Sequence, residues 1–353
     1  MKPGKSLLVL TSVMCVLLYG EQGARGQGAV QAHVVITDAA LQGNTTPPRL
    51  DITGVKLKLN KKDVKVTQVV PARGAAATLQ LFILIDDTLD TSIGNHLQEL
   101  KDFIKAQPSS TQVGIGYMSN ATFQLSQNFT ADRNAAANAI RLPRGSFSTM
   151  DSPYLSLISL VKSWPKQNVR REVLMVTDGI DRLRDEPFGG PRAGAGMGMG
   201  AGMGGGMGMG PAMGPGVGVY HSMPQISVDA TTASEISQRY NVIVYSLYGV
   251  GVGRAGRSST MSWNGLNALE KVSDETGGEC FSLSTTQLVS FKPYLDRLAN
   301  YLGNQYFLAF DAVPKGKKGS LQRINLQTEI PNSELLAPDN VWVELPSAAP
   351  EKK

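Results

Sequence analysis

The sequence predicts an α/β fold in which a mostly parallel β-sheet carries helices on both faces. Three largely apolar runs, residues 81–85, 173–176 and 241–248, are typical of strands buried on both faces. Helical patterns lie between these runs, and alternating strands and helices favour parallel pairing. At 353 residues the chain is long enough for one large domain with smaller additions.

Residues 1–26 have the pattern of a secretory signal peptide. Lys2 and Lys5 precede an apolar stretch, residues 7–18, that is too short to span a bilayer. We therefore expect a secreted or periplasmic protein without a transmembrane segment. Removal of the peptide lowers the formal net charge from +5 to +3, which does not indicate a nucleic-acid partner. Cys280 would be the only mature cysteine, so no internal disulfide can form.

A small β-rich accessory unit is predicted from the patterns of residues 28–75 and 305–345. Side chains alternate between apolar and polar at 55–59, and the alternation resumes at 64–66 after a turn. Three further strands are predicted in the C-terminal segment, at 306–310, 321–326 and 341–343. Because a few N-terminal strands are too small to be stable alone, we expect the C-terminal strands to pack on them.

The α/β domain is predicted to span residues 79–304. Leu97, Leu100, Phe103 and Ile104 place an apolar stripe on one helical face after the first buried strand. Short strands are predicted at 113–117, 122–125 and 279–282. Further helices are predicted at 131–141, 154–164, 230–239, 266–272 and 288–302.

The segment 189–218 interrupts this alternation. It holds fifteen of the 38 glycines and six of the thirteen methionines. This composition predicts a disordered insertion, because the segment has too little apolar surface to offset the entropy of ordering. Its methionine pairs, Met197 with Met199 and Met207 with Met209, also suit Cu(I). Soft-metal handling is therefore an alternative function.

Oxygen-bearing side chains follow two of the buried strands. Asp86, Thr88 and Asp90 come at alternate positions after the first, and Thr177 and Asp178 end the second. Because the carboxyl ends of parallel strands meet at one edge of the sheet, we expect Asp86 and Asp178 to lie side by side. Carboxylate and hydroxyl oxygens suit Mg²⁺, Mn²⁺ or Ca²⁺, although the same residue types also cap helices.

This arrangement resembles the von Willebrand factor type A (vWA) domain. The chain is more narrowly similar, over about residues 30–345, to the secreted vWA-related family first defined in acidobacteria. The narrower similarity depends on the motifs Ile85-Asp86-Asp87, Ser152-Pro153-Tyr154-Leu155-Ser156-Leu157, Val244-Tyr245-Ser246-Leu247 and Gln305-Tyr306-Phe307-Leu308. The resemblance implies a Rossmann-like, doubly wound sheet and a metal-ion-dependent adhesion site. It also implies a protein or cell-surface partner whose acidic residue completes the metal coordination.

Under this resemblance the predicted metal ligands are Asp86, Thr88, Asp90, Thr149 and Asp178. Asp90 replaces a serine of the family motif, and its extra carboxylate neutralises more of the ion's charge. Phe147 falls at the position of the family's second-loop threonine, so Ser146, Ser148 or Thr149 must substitute through a shift.

These features favour a non-enzymatic protein-binding or adhesion module with a divalent cation. Handling of Cu(I) by the Met-Gly segment is the alternative. Hydrolysis through a metal-bound water at Asp86, Asp90 and Asp178 ranks last, because no general base is evident in the sequence.

Overall fold

The computed structural model describes residues 28–40, 49–146, 148–165, 169–184, 226–282, 285–286, 289–316 and 318–345. The predicted signal peptide, the Met-Gly insertion with its copper alternative, and Phe147 lie outside the described residues. Among the residues that are described, no helix combines the length and the apolar character needed to cross a bilayer.

The described ranges contain strands and helices in the alternating order that the sequence predicts. The strands are β1 (Val30–Ala40), β2 (Val55–Leu59), β3 (Lys62–Val64), β4 (Val66–Pro71), β5 (Leu79–Asp86), β6 (Thr111–Ser119), β7 (Thr122–Thr130), β8 (Arg170–Thr177), β9 (Val242–Tyr248), β10 (Cys280–Phe281), β11 (Gln305–Ala312), β12 (Ser320–Thr328), β13 (Ser333–Leu336) and β14 (Asn340–Val343). The helices are α1 (Leu97–Ala106), α2 (Arg133–Asn138), α3 (Pro153–Ser163), α4 (Val228–Arg239), α5 (Gly253–Gly256), α6 (Ser259–Glu275) and α7 (Lys292–Gly303).

Six strands form the central sheet in the order β10-β9-β8-β5-β6-β7. All neighbouring pairs are parallel except β6 and β7. From β5 the chain builds outward to β6 and β7, and then returns to place β8 on the other side of β5. This reversal is a topological switch point, the position where open α/β sheets bind ligands. The predicted mostly parallel, doubly wound α/β sheet is confirmed.

Strand β5 is buried along its whole length, as its apolar run predicts. Leu81 and Ile83 face a core built with α1, α2 and α7. Phe82 and Leu84 face a second core built with α3, α4 and α6. Because successive side chains of a strand point to opposite faces, an unbroken apolar run supplies both cores at once.

The N- and C-terminal segments form the predicted β-rich unit together. Two antiparallel sheets, β13-β1-β11-β4 and β14-β12-β2-β3, share one apolar core. Strand β1 joins this unit to the α/β domain, because Val34 and Ile36 pack in the shared core whereas Val35 and Ala39 pack against the α1 and α7 side of the central sheet. The accessory unit is therefore anchored by strands from both ends of the described chain.

Some element boundaries differ from the sequence prediction. Helix α2 is shorter than predicted, because Asp132 caps its start and the backbone N–H of Arg141 donates to the Tyr117 hydroxyl instead of continuing the helix. Strand β7 continues to Thr130 as a largely exposed edge strand. Helix α6 begins earlier than predicted, where the Ser258 side chain accepts from the backbone N–H of Met261 and the first turn of the helix is mostly polar.

Candidate functional site

The loops at the carboxyl end of the central sheet are tied to one another by backbone hydrogen bonds. Asp90 donates to Val250 at 2.8 Å, and Val252 donates to Thr88 at 2.9 Å. A third bond joins Gly145 to Asp87 at 3.1 Å. We call the surface formed by residues 86–92, 141–146, 148–151, 178–184 and 249–253 the loop face. It covers the switch point between β5 and β8.

Asp86 ends β5 and is buried. One carboxylate oxygen accepts from the backbone N–H of Thr88 at 2.8 Å, and the other accepts from the Thr177 hydroxyl at 2.6 Å. Burial raises the pKa of Asp86 to about 6, and the nearby Asp178 carboxylate adds to this rise while Arg182 opposes it. The predicted approach of Asp86 and Asp178 at one edge of the sheet is therefore what the structure shows.

Asp178 forms an ion pair with Arg182, four residues later in the chain. The two guanidinium Nη atoms donate to the two carboxylate oxygens at 2.6 and 3.3 Å. The side chains of Arg182 and Asp178 are 4% and 0% exposed. Gly251 closes over the pair, since a Cβ atom at this position would lie 1.7 Å from an Asp178 carboxylate oxygen. Only glycine fits this approach of backbone to carboxylate.

The other predicted ligands have different roles. Thr88 is buried and its hydroxyl has no hydrogen-bond partner. Asp90 caps the short 3₁₀ turn Thr91–His96 by accepting from the backbone N–H of Ser92, and hydrogen bonding to Ser92 lowers the pKa of Asp90. Thr149 is exposed to solvent. The structure thus brings Asp86, Thr88 and Asp178 to the switch point but employs Asp90 as a cap and leaves Thr149 at the surface.

As arranged here, these residues do not fit a divalent cation. Both oxygens of Asp86 and both oxygens of Asp178 already accept hydrogen bonds. Mg²⁺ is usually held by one or two carboxylates and water, so an ion here would compete with the hydrogen bonds that Asp86 and Asp178 already accept, and among these three residues only the Thr88 hydroxyl is left without a bond. The buried guanidinium of Arg182 would also repel a dication. Among the described residues, no group of three or more His, Cys, Asp and Glu side chains could hold a metal ion. The five-residue ligand set stays a prediction.

Arg182 and the other arginines of the loop face were not predicted from the sequence. Arg141 holds the buried Asp87 carboxylate through two bonds of 2.6 and 2.8 Å and lies 3.6 Å from the centre of the Tyr117 ring. Arg184 pairs with Asp229 at 3.1 Å. Periodicity gave no signal for the Asp178–Arg182 pair, because residues 178–182 form an irregular turn and not a helix.

Comparisons with solved structures give matches of low identity. The chain is similar to a von Willebrand factor type A structure from Catenulispora acidiphila at 9% identity, over 91% of this chain and 75% of that one, with a TM-score of 0.38. An aerotolerance-related membrane protein from Bacteroides fragilis NCTC 9343 matches at 11% identity, over 64% of this chain and 98% of that one, with a TM-score of 0.36. The conserved hypothetical protein BatB from Bacteroides thetaiotaomicron matches at 9% identity, over 64% of this chain and 97% of that one, with a TM-score of 0.35.

A scan against protein-family models finds no match, and no curated protein matches the chain. The mostly parallel six-stranded sheet with its antiparallel edge strand β7 agrees with the fold that the vWA resemblance of the sequence implies. Membership of the narrower secreted family stays a prediction.

Proposed function

We propose that this chain is an exported, non-enzymatic vWA-like module that binds an acidic protein partner on its loop face. One observation carries the proposal: most carboxylates of the loop face are buried, whereas the guanidinium groups of Arg144 and Arg184 are exposed. The side chains of Arg144 and Arg184 are both 57% exposed, whereas the Asp87 side chain beneath Arg144 is 4% exposed. A partner approaching this surface therefore meets positive charge, although several aspartates lie below it.

The exposed groups suit recognition of carboxylates next to apolar side chains. Arginine presents paired N–H donors that match a carboxylate, and arginine is enriched in protein interfaces. Leu142 and Met150 are exposed on the same surface, where they add apolar contact area. The backbone bonds between the loops hold these groups on a common frame, which lowers the entropy lost on binding.

The metal of the resemblance has no role in this proposal. A partner carboxylate would be met by exposed arginine instead of completing the coordination of Mg²⁺. Secretion or transfer to the periplasm belongs to the proposal as well, and it is supported by the signal-peptide pattern of residues 1–26. The net charge of +3 after cleavage does not indicate a nucleic-acid partner.

A peptide array tests the proposal, with acidic and apolar positions varied independently. The double variant Arg144→Gln/Arg184→Gln removes two loop-face charges. Its matched control, Arg49→Gln/Arg323→Gln, removes two exposed charges outside the loop face. We expect the first variant to lose about ten-fold in affinity for acidic peptides, and the control to bind like the wild type. Equal binding by both variants, or no preference for acidic peptides, would refute the proposal.

A further inference from the structure

We propose that Arg182 is the built-in cation of the switch point, so that the loop face keeps its conformation without a divalent metal ion. The family resemblance predicts a dication among these acids, and the structure instead places a guanidinium there. This role of Arg182 in the architecture of the site holds whether or not the loop face binds a protein.

The contacts of Arg182 are those expected of a structural cation. Its two Nη atoms donate to the Asp178 carboxylate, and Nη1 also lies 3.4 Å from the backbone oxygen of Ile180. Burial acts to lower the pKa of Arg182, but Asp178, Asp86 and Asp151 stabilise the charged guanidinium and together raise its pKa. Asp151 in turn accepts from the backbone N–H groups of Asn120 and Ser148, so it joins the turn between β6 and β7 to its own loop beside the same charge.

Guanidinium suits this position better than ammonium. It is planar and always charged, and it is more weakly hydrated than the lysine head group. Its fork matches the Asp178 carboxylate, and the Gly251 backbone covers the pair without a side chain in between. A single residue therefore neutralises the acid within the segment that follows β8, directly beneath the Gly251 backbone that follows β9.

Thermal unfolding with and without divalent ions tests the inference. The variant Arg182→Met keeps most of the side-chain volume and removes the charge, and Arg184→Met is the matched control because Arg184 is exposed on the same loop. We expect the wild type to have the same Tm in millimolar Mg²⁺ and in chelator. We expect Arg182→Met to lose about 10 °C, because it leaves the fully buried Asp178 carboxylate unpaired. We expect Arg184→Met to lose little, because water can replace its exposed guanidinium beside Asp229.

Two further measurements keep the test decisive if Arg182→Met does not fold. Arg182→Lys keeps the charge and loses the fork, and we expect it to fold with a lowered Tm. Titration of the wild type with Mn²⁺, followed by electron paramagnetic resonance, should show no saturable site tighter than about 1 mM. A saturable Mn²⁺ site in the wild type, a rise in its Tm with Mg²⁺, or equal Tm values for Arg182→Met and Arg184→Met would each overturn the inference.

Discussion

Glu172 gives the sharpest test of how burial controls the stability of this fold. It lies on β8 and is 0% exposed. Burial raises its pKa from 4.5 to about 7, although Arg170 and Gln305 lie close enough to oppose the rise. On the neighbouring strand β9 the hydroxyl of Tyr245 also has a raised pKa, mainly through burial and further through Glu172.

The sign of the pH dependence follows from the direction of this shift. A carboxyl group whose pKa is higher in the folded protein binds its proton more tightly there than in the unfolded chain. Its contribution to stability is therefore complete below pH 4.5 and is lost as the pH rises to about 7. Since one pKa unit corresponds to about 1.4 kcal/mol, ionisation of Glu172 costs the folded protein roughly 3 kcal/mol.

The substitution Glu172→Gln removes this ionisation with little change in shape. Arg170 does not depend on the carboxylate for hydrogen bonds, since it donates to Leu302, Gln305 and Ala77. We expect the variant to be about 3 kcal/mol more stable than the wild type at pH 8, and nearly equal to it at pH 4. The free energy of unfolding, measured by urea denaturation across this range, checks the expectation.

Asp38 and Asp86 also have pKa values raised to about 6, so they add to the pH dependence of stability. They contribute equally to both proteins, so the difference in the free energy of unfolding between variant and wild type reports Glu172 alone. Glu235→Gln is the matched control, since Glu235 is exposed on α4. It should follow the wild type at every pH. If Glu172→Gln has the same pH profile as the wild type, or is less stable at all pH values, burial of Glu172 does not set this pH dependence.

Two substitutions test the packing of the loop face and of the core beneath the central sheet. Gly251→Ala places a Cβ atom against the Asp178 carboxylate, and we expect a Tm several degrees lower, whereas alanine at Gly303, where a Cβ meets nothing within 4 Å, should change the Tm little. Ile83→Ala opens a cavity in the core under α1 and α7, and we expect a loss of about 2–5 kcal/mol in urea denaturation. Unchanged stability of either Gly251→Ala or Ile83→Ala would contradict the packing described.

The elements predicted most accurately from the sequence are the strands that are buried on both faces of the sheet. Strands β5, β8 and β9 are buried on both faces, and a short, unbroken apolar run between turn residues is typical of such strands. The edge strand β7 was predicted too short, because its mixture of polar and apolar residues carries no strict alternation. Helix α2 was predicted too long, because a tertiary bond from Arg141 to Tyr117 ends it, and periodicity does not report tertiary bonds.

In the site too, features that follow from local sequence pattern could be predicted, whereas those that depend on tertiary contacts could not. The approach of Asp86 and Asp178 could be predicted, because parallel strands end at one edge. The alternate spacing that placed Asp90 beside them applies only while the chain is extended, and after β5 the chain enters a 3₁₀ turn that Asp90 caps. The partner of Asp178 could not be predicted from donor types alone, because a turn in the backbone carries Arg182 back onto it.

In a metal-dependent adhesion site, one ion both neutralises the buried acids and presents positive charge to the partner. In the loop face, different arginines would have these two roles. Arg182 neutralises buried acid inside the face, and Arg144 and Arg184 present charge outside it. Exposed charges are screened by salt, whereas a buried ion pair is screened much less. Binding should therefore weaken as the ionic strength rises while the Tm changes little, and a chelator should affect neither. A metal-bridged interface would instead lose its binding in the chelator, because removal of the ion abolishes the contact directly.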